Sequence, residues 1–248
     1  MTDPSGEPDR ITGIASMATR HVLADLCARY EVRSGQQVEF TAVGGVDAAR
    51  RVGGGEAFDV VVLAADAIDA LATAGRVDPA SRTALARSGV SIAVAAGAPR
   101  PDIGSEAAVR DAVLHARSVG YSTGPSGAYL IRLFERWGIA DTLAPRLVQA
   151  PPGTPVGALV ARGDVALGFQ QLSELMHEDG IEVIGPLPPA IQVVTVFTAA
   201  VCTASANPAG ARTFLAFLAS TDADGAKRRH GMEPAHDGRA SDPLARAP

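Results

Sequence analysis

Apolar positions along the chain switch repeatedly between two periods. Val22, Leu23, Leu26, Cys27 and Tyr30 recur at helical spacing after Thr19, which reads as an N-cap, and the pattern stops at Ser34-Gly35. Residues 37–42 then alternate polar and apolar like a strand, Gly44-Gly45 breaks the pattern, and Val46 to Val52 suits a short helix. Asp59 to Ala64 reads as a fully buried strand, and Asp66 with Asp69 predicts an N-cap and an acidic third position on a helix that ends near Gly75. The alternation continues through strand Val90–Ala95, helix Ser105–Ala116, strand Val119–Ser122 and helix Ala128–Trp137, with Leu130, Leu133, Phe134 and Trp137 on one face. Beyond Leu147-Val148 and the loop at Pro151-Pro152, the pattern predicts a helix over 155–162, a strand over 165–169, a polar turn or short helix over 170–177 and a strand over 181–184. Gly185 to Pro189 is the strongest punctuation in the chain, followed by a long strand pattern over 191–202 and a helix over 209–218 that starts near Ser205 or Asn207. From His236 onward the tail is polar and poor in large apolar residues, so it is expected to be flexible. Strands alternating with helices predict mostly parallel sheets flanked by helices. There is no tandem repeat of the solenoid or propeller kind.

Composition narrows this picture. With 248 residues the chain suffices for one large α/β domain or two lobes, and 47% hydrophobic with only 4% aromatic residues makes a core of Ala, Val, Leu and Ile. The net charge of -5 and the scattering of basic residues exclude a nucleic-acid footprint. Cys27 and Cys202 stand alone in apolar surroundings, without Cys-x-x-Cys or Cys/His spacing, so they read as packing residues, and no metal or cofactor is expected. No apolar run reaches the roughly 18 residues of a membrane span. The amino-terminal stretch Met1–Arg10 has no basic region followed by an apolar one; as written the chain reads as cytoplasmic, or as periplasmic if an export signal has been removed.

Candidate chemistry concentrates in four loops that run from a strand end through small or hydroxyl residues into a helix: 15–19, 43–46, 121–127 and 153–156. Each presents main-chain N–H groups at the positive end of a helix dipole, which favours an anion without help from lysine. Ser and Thr are also ordinary caps, so a single loop of this kind says little. In open α/β sheets ligands sit outside the carboxyl ends of the strands, where these loops are placed. Arg20, at the start of the first helix, offers a guanidinium to a carboxylate. Gly-x-Ser-x-Gly, Gly-x-Gly-x-x-Gly and Walker patterns are absent, which excludes the common hydrolase and nucleotide sites. Of the five histidines, His115 and His230 read as solvated, whereas His21 follows the first loop and His177 lies beyond Gln170-Gln171.

Several blocks carry a family likeness: 15–19 (ASMAT), 58–65 (FDVVVLAA), 136–141 (RWGIAD), 147–149 (LVQ), 160–169 (VARGDVALGF) and 207–218 (NPAGARTFLAFL). In order and spacing these resemble the molybdate-type (type II periplasmic) solute-binding proteins over roughly Ile11 to Glu233. The resemblance implies a two-lobe fold, with 1–90 and 191–235 in lobe one, 91–190 in lobe two, 236–248 as a flexible tail, and hinge motion near Val90 and Ile191. It implies capture of a small oxyanion or carboxylate in the interlobe cleft, and an ABC permease as partner if the chain is exported. Transferred by position it selects Ser16 and Met17, Gly45, Ser126, Val156 and Gln171 as ligand-binding residues, to which the loops add Arg20, Ser122 and Thr123. Where molybdate binders have a serine in the second loop this chain has Gly44-Gly45, and where they have a tyrosine it has Gln171, so two hydroxyl donors are missing. The lineage also includes aconitate isomerase-like enzymes, so the alternative expectation is a cytoplasmic isomerase that shifts an allylic proton on a small unsaturated tricarboxylate. Its base would be His21, with Glu174 and His177 as further candidates.

Overall fold

A computed structural model describes residues 10–235, so the expectations for the amino-terminal stretch before Arg10 and for the tail from His236 fall outside the described residues. In chain order the elements are β1 (Ile11–Ser16), α1 (Arg20–Ser34), β2 (Val38–Val43), α2 (Gly45–Gly53), β3 (Val60–Ala64), α3 (Ala65–Thr73), β4 (Thr83–Ala95), α4 (Glu106–His115), β5 (Val119–Tyr121) and α5 (Pro125–Arg136). They continue with α6 (Ala140–Leu143), β6 (Leu147–Gln149), α7 (Val156–Ala161), β7 (Leu167–Gln171), α8 (Leu172–Leu175), β8 (Ile181–Pro186), β9 (Val194–Val201), α9 (Pro208–Ala219), α10 (Asp224–Arg229) and β10 (Glu233–Pro234). Two compact units result, 10–86 with 196–235 and, separately, 87–195; the chain leaves the first unit inside β4 and returns inside β9.

In the first unit β2, β1 and β3 run parallel, and β9 lies antiparallel beside β3. Alternation along β3 sends Val60 and Val62 to one face, against Leu23, Leu26 and Tyr30 of α1 and Phe214 of α9. Val61 and Leu63 go to the other face, against Ala48 and Val52 of α2 and Ile68 of α3. Cys27 and Cys202 are buried free thiols, and burial pushes both up to about 12, far from the range in which a thiolate forms.

The amino-terminal edge of this sheet is tied by Asp59. Its carboxylate accepts from the Thr12 N–H (2.8 Å) and hydroxyl (3.0 Å), the Ser205 hydroxyl (2.6 Å) and the Asn207 N–H (3.1 Å). Burial alone would raise this group; the donors outweigh it and hold Asp59 below the usual carboxylate range.

In the second unit β7, β5 and β6 are parallel, while β4 runs antiparallel to both β7 and β8. Its larger core packs Ile92, Val119, Leu167 and Phe169 against α4 and against Tyr129, Leu130, Leu133 and Phe134 of α5. A smaller cluster under α7 holds Val156, Leu159, Val160 and Val165.

Two local expectations need correction. The capping role assigned to Asp66 belongs to Ala64, because β3 runs straight into α3 without a loop; Asp66 lies in the first turn, where its carboxylate accepts from the Ala67 N–H (2.9 Å), and Asp69 pairs with Arg82. Helices α6 and α10 escaped the pattern, since 4 and 6 residues are too few to show a helical period.

Candidate functional site

Parallel strands bring their carboxyl ends to one edge, and the sequence places its small-residue loops there. In the first unit Ser16 ends β1 directly opposite Val43 of β2. Its backbone is extended (φ -70°, ψ 152°), and its side chain caps nothing on the following turn. The Thr19 hydroxyl donates to the Ser16 carbonyl (3.0 Å), which closes that turn ahead of α1. Ser16 is only 8% exposed, and its Oγ is buried without a hydrogen-bond partner. Beside it α2 begins, with Gly44 as an N-cap that has no side-chain bond to offer. A Cβ placed on Gly45 would lie 3.6 Å from the Ser16 Cβ, so the orphaned hydroxyl and the free N–H end of α2 are neighbours.

Met17 is half-buried in the same turn and Arg20 is exposed. The Arg20 guanidinium lies 2.9 Å from Nε2 of His21. Since a guanidinium only donates, Nε2 is the acceptor in that contact. The same ring stacks against His230 at 6.5 Å between centroids. His230 reaches Asp25 of α1 (3.2 Å), which also receives Arg229 (2.8 Å) and Arg29 (2.6 Å). Burial tends to raise the Asp25 carboxyl, and these bonds outweigh it, bringing it to about 2. His230 is thus part of a polar cluster instead of a solvated residue.

In the second unit the strand-end groups have protein partners. Ser126 is buried in the first turn of α5, and its hydroxyl lies 3.0 Å from that of Ser122, while Thr123 between them is exposed. Gly127 allows this: a Cβ there would stand 1.8 Å from the Ser122 carbonyl oxygen. The Val156 N–H, expected to face a ligand, donates to Oε1 of Gln170 (2.7 Å), whose Nε2 donates to Glu174 (2.7 Å). Gln171 is likewise committed within the protein. The amide orientation that satisfies both its ends has Nε2 donating to the carbonyls of Ser88 (2.7 Å) and Gly89 (3.2 Å), with Oε1 accepting from the Thr195 hydroxyl (2.7 Å). Its partners lie on β4 and β9. Sequence reasoning missed Gln170, Ser88 and Thr195 in this role, because no short-range pattern links residues so far apart in the chain. His177 is half-buried after α8, and His115 is exposed at the end of α4 with Nδ1 2.9 Å from the Asp111 carbonyl.

The model of the bacterial extracellular solute-binding proteins matches residues 11–233. The chain belongs to that family. A relative in a Pseudomonas species, named aconitate isomerase, is 36% identical over 230 residues, spanning 90% of this chain and 87% of the relative. Among solved structures, the periplasmic molybdate-binding protein of Azotobacter vinelandii has 20% identity and a TM-score of 0.75 over 90% of this chain and 98% of that one. The sulfate-binding protein of Mycobacterium tuberculosis has 18% identity and a TM-score of 0.72 over 91% and 87%. These likenesses establish the type II periplasmic-binding-protein fold for this solute-binding protein. Among the described residues no helix is long and apolar enough to cross a membrane, and no group of His, Cys, Asp and Glu is placed to hold a metal ion.

Proposed function

We propose that this solute-binding protein captures a small organic polycarboxylate through main-chain N–H groups and hydroxyls at the strand ends, with Ser16 as the leading donor. The observation that carries this is the Ser16 Oγ, buried and unpartnered beside the start of α2. A buried hydroxyl without a partner costs about 1–3 kcal/mol, a cost that a ligand's anionic oxygen would remove. Helix starts at 20, 45 and 65 gather at the same edge and favour negative charge. In the first unit Met17 and Arg20 flank the Ser16 loop; in the second, Ser122 and Ser126 share one hydrogen bond, so one of their two hydroxyl protons is left for a ligand, and Thr123 lies between them in the chain. If the chain is exported it works in the periplasm and hands its ligand to an ABC permease; without export it acts in the cytoplasm.

The test is a thermal-shift panel of molybdate, tungstate, sulfate, phosphate, citrate and both aconitates. A ligand that binds only the folded protein stabilises it by RT ln(1 + [L]/Kd), about 2.7 kcal/mol at a hundredfold excess over Kd. A polycarboxylate should raise the melting temperature most, and a panel without any shift would remove the anion site.

The 36% identical relative named aconitate isomerase favours a second reading, an allylic proton shift on the bound tricarboxylate. A base would take a proton from carbon next to a carboxylate, the electron pair would spread over a dienolate held by the N–H donors, and a proton would return to the other allylic carbon. His21 remains the proposed base, provided substrate displaces Arg20 from its Nε2. Incubation with trans-aconitate in deuterated water tests this by NMR. Deuterium uptake that His21→Ala suppresses supports it, and absence of exchange in a protein that still binds aconitate sinks it.

A further inference from the structure

The glycine pair at the start of α2 has no structural explanation of the kind that other glycines have here. Gly44 sits at φ -55° and ψ 137°, a conformation open to any residue, and Gly45 has ordinary helical backbone, so neither occurs among the left-handed glycines. Space does not require them either. A Cβ on Gly44 would meet nothing within 4 Å, and one on Gly45 only the Ser16 Cβ at ordinary contact distance. Compare Gly13, where a Cβ would fall 2.4 Å from the Phe40 ring, and Gly127, at 1.8 Å from a carbonyl oxygen. Folding alone would favour a capping side chain such as Ser or Asp at 44, the N-cap, and a side chain of almost any kind at 45, since glycine loses more backbone freedom than any other residue. Just beyond, Val46 is 68% exposed, one of three large apolar residues left uncovered among the described residues.

We infer that Gly44, Gly45 and Val46 set the specificity of the Ser16 site, selecting an anion with a carbon skeleton over a compact tetrahedral oxyanion. This rests on the proposed role of Ser16 as a ligand donor. The first-turn N–H groups of α2 and the Ser16 hydroxyl serve one carboxylate, the volume left by two absent side chains admits the rest of the molecule, and the Val46 methyls meet its C–H groups. A tetrahedral oxyanion presents oxygen in every direction and needs donors all round, which glycine and valine side chains do not supply. The nearest acidic group on α2, Asp47, is ion-paired with Arg50, which lowers its repulsion of an arriving anion.

Isothermal titration of the full chain with citrate, cis-aconitate, trans-aconitate and tricarballylate, against molybdate and sulfate, tests the inference on the wild type and on Gly44→Ala and Gly45→Ser. Both variants should fold, Gly45→Ser with a ligand-free melting temperature equal to or above that of the wild type and Gly44→Ala slightly below it, because alanine is a poorer N-cap than glycine. Each should bind tricarboxylates at least tenfold more weakly, while the oxyanions bind as before or better. Wild-type protein that binds a tricarboxylate, with both variants within twofold of it, would overturn the inference and leave the Ser16 site standing. Tighter binding of molybdate than of any tricarboxylate by the wild type would overturn it as well. So would failure of both variants to fold, because glycine would then be a demand of the backbone. Wild-type protein that binds none of the six anions would remove the site itself and the inference with it.

Discussion

The two units treat the carboxyl ends of their strands differently. In the first, Ser16 holds a buried hydroxyl with no partner next to two glycines that neither backbone nor packing requires. In the second, Gln170 closes the start of α7, Gln171 bonds to β4 and β9, and Ser122 and Ser126 bond to each other. The first unit ties itself elsewhere, at the opposite edge of its sheet, through the four donors on Asp59. The strand-end edge is therefore left with an unpartnered donor in the first unit, whereas in the second its side chains are largely bonded within the protein. A donor already bonded within the protein gains little from a ligand, whereas an orphaned one gains a full hydrogen bond.

Substitutions can break this contrast. The largest effect belongs to Gly127→Ala, where the new methyl meets a main-chain carbonyl at 1.8 Å and the loop has to move. A loss of more than about 3 kcal/mol is expected, with hydrogen exchange losing protection in β5 and β7 and keeping it in β1 to β3. Comparable protection losses in both units would show that the strain is not local to the second.

Asp59→Ala comes next, at about 3 kcal/mol, because it orphans two N–H groups and two hydroxyls in the first unit. Chemical denaturation measures it. If the loss appears in anion affinity with stability intact, the assignment of this edge to cohesion is wrong.

Ser16→Ala should do the reverse: anion affinity falls ten- to hundredfold, about 1.5–3 kcal/mol, while the melting temperature holds or rises as an unsatisfied polar group disappears. Equal affinity in wild type and variant would return Ser16 to a structural role.

The smallest effect is acidic. The folded Asp25 carboxyl, at about 2, lies below its unfolded value, so its contribution is fully present above roughly pH 4 and fades as pH falls toward 2. Stability of the first unit should drop over that window, and Asp25→Asn should flatten the drop. An unchanged acid profile in the variant would mean that the Arg29, Arg229 and His230 bonds do not hold the carboxylate in solution.

How much of this was legible in the sequence depends on the range of the interaction. Helix α1 was readable to its ends because its signals are local: Val22, Leu23, Leu26, Cys27 and Tyr30 share one face, and Gly35 closes it at φ 73°. The strand-helix alternation, and with it the placing of 15–19, 43–46 and 121–127 at strand ends, likewise follows from periods and breaks within a few residues. The family likeness was carried by such blocks too. Which of the gathered donors remains free was decided only by tertiary structure. Val156 looked as available as Ser16 until the fold set Gln170 against it, and Gln171 found its partners on β4 and β9, far away in sequence. Glycine shows the same division. Gly45 and Gly127 are one letter in the sequence, yet a side chain has room at the first and meets a carbonyl at the second, a difference that exists only once the chain has packed. Local periodicity determines where elements and loops fall, because backbone preferences act over a few residues; the state of each hydrogen-bonding group depends on neighbours that only the folded chain supplies.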